Sequence, residues 1–318
     1  MSPVIAVLIP CYNERLAIGK VVQDFRNALP SAQVFVYDNN SSDGTAEAAR
    51  EAGAIVRREV QQGKGHVVRR MFADVEADLY VLVDGDDTYD AASAPALISR
   101  LIEDSLDMVS AVRVENSKEA YRSGHRLGNK LLTGFVAWIF GSRSSDMLSG
   151  YRVFSRRFVK SFPALAKGFE IETELTVHAL ELGLPLAEIP TPYKERPPGS
   201  VSKLRTYSDG IRIANTILNL IKEERPLLFF GVLSLALILL GLATGIPVVV
   251  TYMETGLVPR LPIAILAMGQ VLLGFLCLFS GLILDSVTRG RKEGKRLAYL
   301  GVSIRYDKNA TRAGLFHS

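Results

Sequence analysis

The chain has 318 residues, a formal net charge of +4 and a pI near 9.0; that length allows one large domain or two small ones. Nearly half of it, 48%, is hydrophobic, and a mean hydropathy of +0.19 is high for a soluble enzyme. The basic surplus lies beside two long uncharged stretches and no aromatic–basic ladder accompanies it, which points to anionic lipid and away from nucleic acid.

Val4–Ile9 reads as a buried first strand, too short and without the basic lead to be the apolar core of a signal peptide. Pro10-Cys-Tyr-Asn-Glu14 ends it and opens a helix to about Ala28, with Ile18, Val21, Val22 and Phe25 at helical spacing. Gln33–Tyr37 is a second strand that stops on Asp38-Asn-Asn-Ser-Ser-Asp-Gly-Thr45, where Ser42 or Asp43 is expected to cap a helix through Ala52. Ala54–Arg57 is a short third strand, and Gly63-Lys-Gly65 precedes a helix to about Ala77. Tyr80–Val83 is a fourth, buried strand ending on Asp84-Gly-Asp86-Asp87. Strand and helix alternate here, which predicts an α/β fold with a parallel sheet covered on both faces. Ligands of such sheets bind at the carboxyl ends of the strands, so the acids, amides and Tyr of residues 10–14, 38–43 and 84–88 are expected to share one edge. Carboxylates packed as tightly as Asp84 and Asp86 repel one another unless a cation sits among them, and hard oxygens suit Mg²⁺ or Mn²⁺.

Further along, a helix near Ser93–Asp104, a strand Asp107–Val112, a strand Ser149–Phe154, a helix Gly168–Leu182 and an extended segment Pro185–Tyr193 are expected. Arg122–Phe140 reads as an amphipathic helix, lying either on a membrane surface or against the core, and Tyr207–Ile221 reads as another leading into the membrane. Pro226–Met253 carries no charge over 28 residues and Leu261–Leu284 none over 24, each long enough to span a bilayer. Arg289, Arg291, Lys292, Lys295 and Arg296 follow the second stretch, whereas the short loop between the two has only Glu254 and Arg260. The positive-inside rule then places both chain ends in the cytoplasm. Cys11 and Cys277 are not expected to pair.

The motifs IPCYNE (Ile9–Glu14), DNNSSDGT (Asp38–Thr45), GKG (Gly63–Gly65), DGDD (Asp84–Asp87), SDMLSGYRVFSR (Ser145–Arg156) and GSVSKL (Gly199–Leu204), in that order, resemble family 2 glycosyltransferases. Within the family they are similar to the polyprenyl-phosphate group, which includes dolichyl-phosphate mannose synthases and bacterial undecaprenyl-phosphate sugar transferases. The resemblance implies a GT-A, Rossmann-like nucleotide-diphosphosugar transferase domain over residues 1–204. It would be followed by a juxtamembrane amphipathic helix (205–225), two transmembrane helices within 226–288 (about 227–252 and 261–284) and a basic cytoplasmic tail (289–318). It implies inverting transfer of one sugar, with a UDP-sugar favoured over GDP-mannose, to polyprenyl phosphate at the cytoplasmic face of a bacterial inner membrane. A family 2 enzyme with another lipid-linked acceptor is the alternative, and a membrane scaffold or transporter with a degenerate nucleotide-binding head is the alternative of another class.

By the same resemblance Pro10, Tyr12, Glu14, Asp38, Asp43, Lys64 and Asp84 match nucleotide-binding positions, and Asp84 and Asp86 match the metal carboxylates. Asp146 matches the position of a general base, or of a residue that orients the acceptor or a basic neighbour. Arg152 and Lys203 match basic positions aimed at phosphates, and Arg122, Arg126 and Asn129 match positions that hold the lipid phosphate. Thr88 stands where dolichyl-type enzymes carry a Gln that joins the metal. Glu170 and Glu172 either read sugar hydroxyls or favour a helix N-terminus. Assembly into a homo-oligomer through the membrane helices is a further expectation from related enzymes.

Overall fold

The computed structural model describes residues 2–115, 146–168, 170–194 and 222–304, with the isolated positions 134, 138 and 219. The chain divides into two compact units: Met1–Gly210 together with Gly294–Ser318, and Ile211–Glu293. The expected amphipathic helices at 122–140 and 207–221 lie outside the described residues, apart from those isolated positions.

The first unit is built on a sheet of β1 (Ile5–Cys11), β2 (Gln33–Asp38), β3 (Ile55–Arg58), β4 (Leu79–Leu82), β5 (Met108–Glu115), β6 (Arg152–Ser155) and β7 (Leu186–Tyr193). Their order is β3-β2-β1-β4-β6-β5-β7. Six of these strands run parallel to one another, while β6 runs against its neighbours β4 and β5. The expectation of a parallel sheet is corrected at this strand. Its approach segment, 146–151, already lies at the carboxyl edge of the sheet, so β6 can only run back from that edge.

Helices α1 (Arg15–Ala28), α2 (Thr45–Glu51), α3 (Lys64–Asp74), α4 (Ala94–Glu103), α5 (Arg156–Ser161) and α6 (Ile171–Leu182) cover the sheet. Alternate residues of β1 serve opposite faces, as a strand period of two requires. Ile5, Val7 and Ile9 pack with Ile18, Val22 and Phe25 of α1 and Leu97, Ile98 and Leu101 of α4. Ala6 and Leu8 pack with Val68 and Met71 of α3, Phe158 of α5 and Leu175 of α6. At the start of α2 the N-cap is Gly44 at φ 90°, not Ser42 or Asp43. Asp43 still contributes, because its Oδ1 accepts the Thr45 N–H at 3.0 Å and the Thr45 hydroxyl at 2.5 Å.

His178 of α6 is buried against the edges of Phe158 and Phe162, with Nε2 3.2 Å from Ser161 Oγ. Burial, helped by the charge of Lys295, drives its pKa down to about 3. The unfolded chain therefore takes up a proton below pH 6.5 that the folded chain refuses. Stability is complete above pH 6.5 and falls with pH until about 3, by about 2 kcal/mol at pH 5. Urea midpoints at pH 7.5 and 5 should show this loss in the wild type and a smaller one in His178→Leu.

In the second unit α7 (Pro226–Thr255) packs on the apolar part of α8 (Leu261–Leu300), whose last residues from Gly294 belong to the first unit. The helices meet at small residues: a Cβ on Gly241 would stand 2.7 Å from Val271 Cγ2, and one on Gly274 2.6 Å from Ile238 Cγ1. Close approach over glycine is a packing mode of helices in lipid. Both helices are long and apolar enough to cross a membrane, with mean hydropathies of 2.6 and 2.3 in their most apolar windows. Only 11% of each window is buried, whereas the core helix of a water-soluble domain would be covered.

Candidate active site

Because β1, β2, β3, β4, β5 and β7 run the same way, their carboxyl ends share one edge. The structure brings Pro10, Asp38, Asp84 and Asp86 to that edge, with Cys11 in register with Asp38 on the neighbouring strand. The loops after β1 and β2 are laced together. Asn13 N–H donates to Ser41 Oγ at 2.9 Å, Ser42 N–H to Asn13 Oδ1 at 2.9 Å, and Glu14 N–H to Thr45 Oγ1 at 2.9 Å. Asp43 Oδ2 accepts the Arg15 N–H at 3.1 Å. Expected as a nucleotide contact, Asp43 is thus a brace between α1 and α2. Tyr12 is 38% exposed, with room to face a ligand.

Asp38 behaves differently. It is 6% exposed; Oδ2 accepts the Ser41 N–H at 3.2 Å, but Oδ1 is buried and, among the described residues, has no hydrogen-bond partner. A buried acceptor left unmatched is costly, and a ligand N–H or O–H would relieve it. Asn39 closes the turn beside it, donating to the carbonyls of Glu59 and Gln61 and accepting the Gly63 N–H at 2.7 Å.

That last bond holds the start of α3, and with it Lys64. Its ammonium lies 2.5 Å from Asp84 Oδ1 and 2.6 Å from Glu172 Oε1 in the first turn of α6. The Lys64 and Glu172 side chains are 7% and 10% exposed, that of Asp84 28%. Burial opposes the Lys64 charge, but the two carboxylates outweigh it and hold the ammonium above the ordinary lysine pKa. Glu172 is pushed up, by burial first and then by Asp84, against the pull of Lys64. Gly150 presses on the other side of Asp84: a Cβ there would stand 2.2 Å from Asp84 Oδ2, so a side chain at 150 would displace the carboxylate. Its N–H donates to Tyr89 Oη at 2.8 Å.

Asp86 is 5% exposed, and its Oδ1 accepts the Thr88 hydroxyl at 2.6 Å and the Thr88 N–H at 3.3 Å. Asp87, at φ 58°, turns away to pair with Lys20 at 2.7 Å. The turn thereby separates its acids, keeping Asp84 and Asp86 in the site. Among the described residues no group of three or more His, Cys, Asp or Glu forms a metal cage.

Arg152 and Asp146 are both held by neighbouring groups. Arg152 is fully buried. It donates through Nε to Ser149 O at 2.9 Å, through Nη1 to Thr176 Oγ1 at 2.7 Å and through Nη2 to Met147 O at 2.7 Å. It therefore ties the 147–149 loop to α6, and a phosphate cannot reach it as a surface contact. Asp146 forms a bidentate pair with Arg113 at 2.7 and 2.8 Å. Burial alone would raise its pKa, but the hydrogen bonds and charge of Arg113, then Arg152 and the Leu148 N–H, bring it below the usual carboxylate value. Arg113 was not singled out in the sequence, although it satisfies the same rule as the acids, a charged residue at the carboxyl end of a strand. Arg122, Arg126, Asn129 and Lys203 lie outside the described residues.

The family model for glycosyl transferase family 2 matches residues 6–161. Glycosyltransferase AglJ of Haloferax volcanii is 32% identical over 298 residues, covering 93% of this chain and 98% of that protein. The chain belongs to glycosyltransferase family 2. A dolichyl-phosphate hexose transferase of the same organism is 29% identical over 221 residues, 70% of this chain and 95% of that one. Among solved structures, glucosyl-3-phosphoglycerate synthase from Mycobacterium tuberculosis, in complex with Mn²⁺, uridine diphosphate and glucosyl-3-phosphoglycerate, superposes with a TM-score of 0.58 at 21% identity. That match covers 69% of this chain and 79% of that chain. The fold of this family 2 transferase is accordingly GT-A, followed by two long apolar helices.

Proposed function

We propose that this family 2 transferase moves one sugar, with inversion, from a nucleotide diphosphosugar to a polyprenyl phosphate at the cytoplasmic face of a membrane. A UDP-sugar is favoured over GDP-mannose. The observation that carries the reading is the shared edge: Asp38, with a buried oxygen awaiting a donor, stands on the same sheet end as Asp84 and Asp86. Support for the acceptor comes from the dolichyl-phosphate transferase among the relatives and from the two apolar helices. The proposed division is a transferase domain at 1–204, a juxtamembrane helix at 205–225, spans within 226–288 and a basic tail from 289. Arg289, Arg291 and Lys292 beside the second span, against Glu254 and Arg260 in the loop, favour a cytoplasmic transferase domain.

The residues fit a divalent metal. Asp84 and Asp86 offer hard carboxylate oxygens from one turn at the carboxyl end of β4, the donor type that Mg²⁺ and Mn²⁺ take. Mg²⁺ or Mn²⁺ held there would neutralise charge on the departing nucleoside diphosphate. Asp38 Oδ1 accepts a hydrogen bond from the nucleoside, with Pro10, Tyr12 and Glu14 lining the same end. Lys64, kept protonated, brings a positive charge to the diphosphate. The acceptor is already an anion at neutral pH and needs no base. Asp146 accordingly orients Arg113 instead of taking a proton, and the Arg113 guanidinium, at the carboxyl end of β5, gives the acceptor phosphate a fixed partner.

Purified full-length protein with undecaprenyl phosphate, Mg²⁺ or Mn²⁺ and a series of radiolabelled UDP- and GDP-sugars tests this. The reading requires an organic-extractable sugar product from one donor and none when the lipid is omitted. Product formed equally without lipid phosphate would reject it.

A further inference from the structure

Residues 294–304, beyond the apolar part of α8, pack on the transferase unit to which they belong. Lys295 Nζ lies 2.6 Å from Glu181 Oε2, and Arg296 Nη2 donates to Leu182 O at 3.2 Å. Tyr299 donates its hydroxyl to Asp107 Oδ2 at 2.9 Å, just before β5. Arg157 of α5 donates from Nε to Val302 O at 2.9 Å.

The contact with Glu181 is the most demanding of these. The Glu181 side chain has no exposure, and among the described residues its Oε1 has no hydrogen-bond partner. Among the described residues its ion pair is with Lys295. A buried carboxylate without a counter-ion is strongly disfavoured, so the end of α6 is tied to a residue more than a hundred positions away. Lys295 and Arg296 also suit the negative end of the α6 dipole, and Arg296 satisfies one of its last free carbonyls.

The first turn of the same helix carries Glu172. Nine residues, about 14 Å of helix, separate Glu172 from Glu181. One end of α6 meets Lys64 and the other meets Lys295. Between them α6 is buried around most of its circumference, at Leu175, Thr176, Val177, His178 and Ala179 among others. That packing and the Arg152 bond to Thr176 hold the middle of the helix, and the ion pairs with Lys64 and Lys295 hold its two ends.

We propose that Lys295 is a positioning residue: by pairing with Glu181 it sets where α6 presents Glu172 to Lys64 and Asp84. Its effect on catalysis rests on the reading of Lys64 and Asp84 as part of the donor site; its effect on α6 does not. The transferase domain then includes a segment that the chain adds only after its apolar helices.

The test uses full-length protein. Amide hydrogen exchange of residues 171–176 is followed without substrate, and the affinities for UDP and for GDP with Mn²⁺ are measured in parallel. Each variant is held at the same interval below its own unfolding temperature, so that global stability is matched. Lys295→Glu should speed exchange at 171–176 by about tenfold through local opening of α6 and weaken UDP binding. Lys295→Arg and the charge swap Glu181→Lys with Lys295→Glu should restore both. Glu181→Gln with Lys295→Gln removes the pair without burying a lone charge. It should fold and still exchange faster at 171–176, which keeps the proposal open to test if Lys295→Glu fails to fold. Wild-type exchange at 171–176 in the folded double Gln variant would overturn the proposal. If the wild type binds neither UDP nor GDP, the donor reading fails and the exchange result still decides the role of Lys295.

Discussion

Asp86→Ala is expected to abolish sugar transfer, lowering kcat/KM by about a thousandfold or more, the scale of losing several kcal/mol of charge stabilisation where the diphosphate would depart. The structure permits a sharper version. Asp86 Oδ1 organises its own turn through the Thr88 hydroxyl and N–H, and an amide oxygen can accept both bonds. Asp86→Asn should therefore keep the fold, moving the unfolding free energy by about 1 kcal/mol or less, while transfer is lost to nearly the same extent. Thermal unfolding and the lipid-extraction assay on the same preparations separate the two. A variant that transfers normally would remove Asp86 from the chemistry. One that unfolds would reduce it to a structural turn.

Lys64→Met acts on both stability and function. With the ammonium gone, Asp84 and the almost covered Glu172 face each other with only the more distant charge of Arg152 to oppose their repulsion among the described residues. Breaking such a pair costs about 3 kcal/mol, the low end for buried pairs, because Asp84 is 28% exposed and water screens part of the repulsion. Glu172, already pushed up by burial and by Asp84, then takes up a proton more readily, so the loss should shrink as the pH is lowered towards 5. Transfer should fall about a hundredfold, since a charge aimed at the diphosphate is lost together with the placement of Asp84. The urea midpoint at two pH values and the donor KM check both halves. A stable Lys64→Met enzyme with an unchanged donor KM would contradict the arrangement.

The parts of this site that the sequence disclosed are those that depend on one strand at a time. Short apolar runs ending in Asp38 and Asp84 are visible because burial on both faces demands the run and a ligand edge follows from parallel strands. The joining of Lys64 to Glu172 is a contact across 108 positions, set by how α6 packs, and no local periodicity reports it. Arg152 misleads for the same reason. The resemblance aims Arg152 at a phosphate, whereas the fold inserts β6 between β4 and β5 with the guanidinium spent on Ser149, Met147 and Thr176. The antiparallel sense of β6 was hidden too, because four residues carry no mark of direction. Arg113 escaped because its partner is not local: Asp146 lies 33 positions further on, and the two meet only when the segment before β6 returns to the end of β5.

The central claim is that Asp38, Asp84 and Asp86 form one site for a nucleoside diphosphate and a divalent ion. Titration of UDP and of GDP into the purified protein, with Mn²⁺ and then with EDTA, measures it most directly in the wild type, Asp38→Asn and Asp86→Asn. Binding of one nucleotide that needs Mn²⁺ and is weakened by each substitution is the predicted result; binding indifferent to EDTA and to both substitutions, or no binding of either nucleotide, would contradict it.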